Sequence, residues 1–188
     1  MITSDDMETE EVLMRVREFA EERGIKDIVV ASTRGEAGVK AAEIFNDHEK
    51  FNLVVVAHST GFKEVNQQEM TEDNLRNIKD AGRHVLLAPM VFHTLSSAIG
   101  KREGFSGSKL VADTLRLFSQ GTKVAVEIVM MACDAGLVES GKSVIGAAGS
   151  HMGVNTALLI HSSNSIRFFD SRIREVIIKP SRPENLEM

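Results

Sequence analysis

Short polar clusters follow three hydrophobic runs in this chain and a proline follows a fourth, and the residue types of the clusters are those that hold anions and hydrogen-bond flat ligands. Ser32, Thr33, Arg34, Gly35 and Glu36 follow the run Asp27–Ala31, and His58, Ser59, Thr60 and Gly61 follow residues 53–57. Pro89 follows His84–Ala88, and Gly149 with Ser150 follows Ser143–Ala148. In the first cluster two hydroxyls can donate and a glycine admits close backbone approach. A helix expected from Glu36 or Ala37 would aim unpaired backbone N–H groups at an anion. A phosphate fits that description. The same residues would equally serve a helix cap and a turn, so both readings stand at this point.

The elements that position these clusters follow from hydrophobic periodicity. The runs 27–31, 53–57, 84–88 and 143–148 read as strands, and residues 53–57 are apolar on both faces, as a central parallel strand requires. Helices are expected over 7–23, 37–46, 108–119 and 124–135, and another begins after an N-cap at Thr71 and closes at Gly82. A Gly- and Ser-rich loop around Gly100, Gly104 and Gly107 precedes the third of these, and Gly121 reads as its stop. Thr156–His161 and residues 175–179 add one or two strands, and the segment between them is too short for a crossover helix, so part of the sheet should be antiparallel. Right-handed crossovers then place the strands in the order 3-2-1-4-5 in a mostly parallel mixed sheet of an α/β fold. The crevice should open where that order reverses, between residues 32–35 and 146–150.

Other side chains gather at the same rim. Phe92 and Phe105 are the candidates for covering a flat ring, because the chain has no Trp or Tyr. Asn155 and Thr156, just beyond Gly149 and Ser150, can bond a phosphate or a ring carbonyl. His58 and Ser59 lack the flanking pattern of a nucleophile elbow. Glu127, on the most apolar helix, needs a partner for its carboxylate. No histidine spacing suits a metal and Cys133 stands alone, so no metal is expected.

The 188 residues suit one domain, with an N-terminal helix and a C-terminal strand extension. A net charge of −5 with scattered basic residues argues against nucleic acid. No stretch is long and apolar enough for a bilayer, and the start of the chain has no secretory pattern, so a cytoplasmic protein is expected. Association into a homo-oligomer is expected as well.

The run A-S-T-R-G-E-A from Ala31, the stretch T-L-R-L-F-S-Q-G-T-K-V-A-V-E-I from Thr114 and the run N-T-A-L-L-I from Asn155 resemble stand-alone archaeal proteins related to the pyruvate kinase C-terminal domain. The resemblance covers about residues 26–180 and implies a three-layer α/β/α sandwich of order 3-2-1-4-5. Pyruvate kinase activity is not implied, since its catalytic (β/α)8 barrel needs ~250 residues of its own. In full-length pyruvate kinases the loop matching Ser32, Thr33 and Gly35 holds a phosphate of a sugar-bisphosphate effector. The match ends at Glu36, where the effector-binding pattern carries a basic residue, and the carboxylate opposes a second phosphate. The stand-alone relatives are associated with flavin mononucleotide (FMN), which carries one phosphate. The resemblance therefore implies an FMN-binding protein, with a small oxidoreductase as one form of it. The alternatives are a sensor or carrier of a phosphorylated metabolite, and an assembly module using the helical face of residues 108–136.

Overall fold

The structure is a computed structural model, and it describes residues 2–150 and 153–182. Its strands are β1 (Ile2–Thr3), β2 (Asp27–Ala31), β3 (Asn52–His58), β4 (His84–Ala88), β5 (Ser143–Ala148), β6 (Thr156–His161) and β7 (Arg172–Lys179). They form a seven-stranded mixed sheet in the order β1-β7-β6-β5-β2-β3-β4. The pairs β2/β3, β2/β5, β3/β4 and β1/β7 are parallel. The pairs β5/β6 and β6/β7 are antiparallel. β4 forms one edge, while β7 carries the two-residue β1 at one end of the other.

Alternation along the central strands decides which layer each side chain joins. Leu53, Val55 and Ala57 of β3 enter one core with Ile28, Val30 and Ile145, covered by the helices α1 (Thr9–Arg23), α2 (Glu36–Ile44) and α3 (Glu72–Asp80). Val54 and Val56 point to the opposite core with Val29 and Val144. That second core is closed mainly by α6 (Gln120–Asp134), which buries Val126, Val129, Met130 and Cys133. A helix apolar on nearly every side has to be enclosed, and α5 (Gly107–Arg116) packs along its outer side. Each large apolar side chain so enclosed contributes about 1.5–3 kcal/mol relative to exposure.

Local chemistry sets the helix limits. Gly24 adopts the left-handed conformation that closes α1, and Thr71 accepts a hydrogen bond from the N–H of Asn74 at the start of α3. Two expectations change. The segment read as a Gly- and Ser-rich loop is largely helix α4 (Thr94–Glu103), with Gly104 as its left-handed C-cap. Gly121 is no stop either, since α6 starts one residue before it at the Ser119 cap. A Cβ on Gly121 would stand 2.3 Å from Thr156 Oγ1, so the missing side chain serves close helix-to-strand packing.

Gly146 has the same role at the centre of the sheet. A Cβ there would stand 2.8 Å from the Ala125 carbonyl oxygen and 3.0 Å from Val129 Cγ2, so α6 lies directly on β5. Gly146→Val should therefore destabilise the fold by about 1–3 kcal/mol through overpacking. Chemical denaturation read by circular dichroism measures that loss, and an unchanged midpoint would show that α6 sits elsewhere.

Candidate functional site

The carboxyl ends of β2, β3 and β5 open onto a cavity of about 700 Å3. The chain leaves β2 through α2 toward β3, whereas β5 lies on the other side of β2, so the cavity occupies the point where the connections part.

The first wall is the turn after β2. Ser32 is buried, its hydroxyl oxygen accepts from the Gly38 N–H at 2.9 Å, and its own N–H reaches the Val56 carbonyl at 2.9 Å. The Arg34 carbonyl accepts from the Thr71 N–H at 3.2 Å and from Asn74 Nδ2 at 3.0 Å, which pins the turn against α3. The amides of Glu36 and Ala37, in the first turn of α2, have no acceptor among the described residues. Thr33, Arg34, Glu36 and Lys40 line the cavity beside them. Gly35 does not. It is buried with φ +108°, and a Cβ on it would stand 2.3 Å from Asn74 Cβ. The close approach read from the sequence is thus made to α3, and a side chain there would displace α2.

The second wall follows β3. His58 Nδ1 lies 2.9 Å from Glu69 Oε2, and its ring packs on Phe62 with centroids 4.2 Å apart. Phe62 in turn lies 5.4 Å from the ring of His93. These four side chains line the cavity together with Lys63 and Met90. Burial lowers the pKa of His93, and the positive charge of Lys123 lowers it further. Ser59, Thr60 and Gly61 lie outside the lining. Gly61, at φ +82°, donates to the Gln67 carbonyl, and Ser59 accepts from the Phe62 N–H, so these residues build the turn that presents Phe62.

Among the described residues the third wall is made by Gly149, Ser150 and Gly153 with Glu8 and Thr9 at the start of α1. Thr9 Oγ1 accepts from the Val154 N–H at 3.0 Å and so ties α1 to this turn. Asn155 and Thr156 lie outside the lining. Thr156 is fully buried with its hydroxyl 3.2 Å from Ser119 Oγ, and the Asn155 carbonyl accepts from Ser4 Oγ at 2.6 Å. Both join β6 to its neighbours.

The cavity is completed by α6, which contributes Gln120, Lys123, Val124, Glu127, Ile128 and Met131, and by Arg116 of α5. Lys123 and Glu127 form a charged hydrogen bond one helical turn apart, with side chains only 3% and 1% exposed. Glu127 also accepts from the Phe92 N–H at 2.6 Å. Desolvation lowers the Lys123 pKa even against the opposing pull of Glu127. Arg116 is held by Asp113 at 2.7 Å and by Gln120 at 2.6 Å.

Of the expected ring-covering residues, Phe92 is buried in the second core, edge-on to Phe168, and Phe105 is 66% exposed beyond α4. Neither lines the cavity, nor does the exposed Pro89. Among the described residues the aromatic surface there is Phe62 with the imidazoles of His58 and His93. Sequence reading did not single out Lys123, because the apolar run it followed begins one residue later. A lysine four positions before the unexplained Glu127 was the available signal. The His58–Glu69 contact, spanning eleven residues of loop, had none.

His93 supplies a pH-dependent expectation. Its folded pKa lies below the ordinary value, so the unfolded chain binds more protons and stability falls as pH drops through that ordinary value near 6.5. His93→Gln should lose less stability than the unsubstituted protein between about pH 7 and pH 5. Parallel melting curves at the two pH values test this, and equal losses would remove the role of His93.

No family model matches the chain. Among solved structures it is similar to a hydrogen sulfide-producing enzyme from Fusobacterium nucleatum, with 18% identity and a TM-score of 0.33 over 51% of this chain and 28% of that one. It is also similar to a pyridoxal 5′-phosphate-dependent aspartate racemase, with 13% identity and a TM-score of 0.35 over 67% of this chain and 43% of that one. The chain spans less than half the length of either protein, and likeness at this level assigns no function.

Proposed function

We propose that this protein binds a phosphorylated small molecule in the crevice between β2 and β5, with FMN as the specific ligand. The observation that carries the reading is the turn into α2. Its two first-turn amides have no described acceptor and lie at the positive end of the α2 dipole, and their residues line the cavity with Arg34 and Lys40. Neither cation has an ion-pair partner among the described residues. A volume of about 700 Å3 is that of a small-molecule site.

The residues present suit FMN at both ends. Thr33, the α2 amides, Arg34 and Lys40 would hold the phosphate, and Phe62 with His58 and His93 would flank the ring system. When bound, a flavin supplies hydride and one-electron chemistry, which the protein tunes through hydrogen bonds and nearby charge. Glu36, exposed at the same helix start, disfavours a second phosphate. A sensor or carrier of a phosphorylated metabolite would use the same wall.

The test compares FMN with riboflavin, which has the same ring but no phosphate. Titration of the purified protein should quench FMN fluorescence saturably, and riboflavin should bind at least about tenfold more weakly, the worth of one or two charge-assisted hydrogen bonds. Equal binding of the two would remove the phosphate site. Absence of FMN binding, with a colourless preparation, would remove FMN.

A second reading concerns assembly. α6 is covered by the sheet and by α5 and otherwise borders the cavity, so within residues 108–136 the exposed apolar surface belongs to α5 and the turn after it. Leu110, Leu117 and Phe118, on α5 and the turn after it, remain 60%, 84% and 56% exposed. If this surface joins copies of the chain, the double substitution L117S/F118S should lower the mass found by light scattering to that of a monomer. An unchanged mass would exclude it.

A further inference from the structure

Lys123 combines features that a packing residue does not need. It projects from the first turn of α6 with 3% of its side chain exposed, yet it lines the crevice. Its three donors meet one acceptor among the described residues, the Glu127 carboxylate, and the Phe92 ring lies 5.8 Å from Nζ. A buried ion pair kept for stability alone is replaceable by apolar side chains at little cost. This pair borders a cavity instead of lying sealed in the core. Burial holds the amine below its ordinary pKa, which raises the share of neutral, nucleophilic lysine at neutral pH.

From this geometry we propose that Lys123 captures the carbonyl group of a phosphorylated aldehyde or ketone as an imine, with Glu127 moving the proton. The proposal rests on the reading of the α2 wall as a phosphate site, taken with a phosphorylated metabolite in the place of FMN, and adds the chemistry at the α6 side of the same cavity. Glu127 first takes a proton from the lysine ammonium. The free amine attacks the carbonyl carbon, a C–N bond forms, and an N–H proton passes to the alkoxide to give a carbinolamine. The C–O bond then breaks as Glu127 returns its proton to the hydroxyl, water leaves, and a protonated imine remains beside the Glu127 carboxylate. No oxidant or reductant enters the sequence. The Phe92 N–H fixes Glu127 on its other oxygen, so the carboxylate stays aimed at Nζ.

The experiment incubates the full chain with glycolaldehyde phosphate, reduces with sodium cyanoborohydride and locates the adduct by peptide mass spectrometry. Lys123 should carry the adduct ahead of the exposed lysines, and Glu127→Gln should slow its formation at least about tenfold, as loss of a positioned acid–base group does. Labelling spread over exposed lysines with Lys123 unmodified overturns the proposal, and the unsubstituted protein suffices to show it. Lys123→Met, checked for a retained cooperative melt, should lose the adduct. The phosphate reading is judged separately. Inorganic phosphate should protect Lys123 from glycolaldehyde phosphate, whereas equal labelling by unphosphorylated glycolaldehyde without protection would keep the imine and remove the phosphate site.

Discussion

One carboxylate joins the two halves of the site. Glu127 takes the Phe92 amide on one oxygen and Lys123 on the other, and so fixes the segment after β4 to the helix that covers β2, β5 and β6. Removing one partner of a buried charged pair typically costs about 3–5 kcal/mol, because the other charge is left without compensation. This one group therefore ties the amino-terminal part of α6 to the segment that carries Phe92.

The remaining walls depend on where glycine lets elements approach. Gly35 brings the α2 start against Asn74, Gly146 brings α6 onto β5, and Gly153 brings the β5–β6 turn onto Thr9. Each contact sets one wall relative to the sheet, Gly35 and Gly146 from outside the cavity lining and Gly153 from within it. Among the described residues, five cationic side chains, Arg34, Lys40, Lys63, Arg116 and Lys123, line the cavity against four carboxylates, Glu8, Glu36, Glu69 and Glu127. In a chain of net charge −5 the crevice is thus less acidic than the protein as a whole. Helix starts of α1, α2 and α6 facing it add to that balance.

The α/β class, the mostly parallel mixed sheet and the antiparallel portion near the carboxyl end were legible in the sequence, because doubly buried strands such as β3 write continuous apolar runs and the short segment after His161 cannot hold a crossover helix. The rim of the cavity was legible in part. Ser32, Thr33, Arg34, Glu36, His58, Gly149 and Ser150 do line it, since position at a strand end is a one-dimensional property. Gly35, Phe92 and Thr156 were misplaced because their direction depends on α3, α6 and Ser119, distant in the chain. The α4 helix was missed because its composition, T-L-S-S-A-I-G-K-R-E, gives no clear apolar stripe and none of its residues is buried.

The two edges of the sheet are unlike. β7 presents Arg172, Arg174 and Glu175 along a rim that β1 pairs with only at Ile178 and Lys179. Charges of that kind discourage another strand from adding. β4 has no such protection, since its sequence is His84-Val85-Leu86-Leu87-Ala88 and its Leu87 is 39% exposed. Among the described residues the β4 edge thus opposes the addition of a strand less than β7 does, and β4 is the strand whose carboxyl end leads directly into the segment that Glu127 holds.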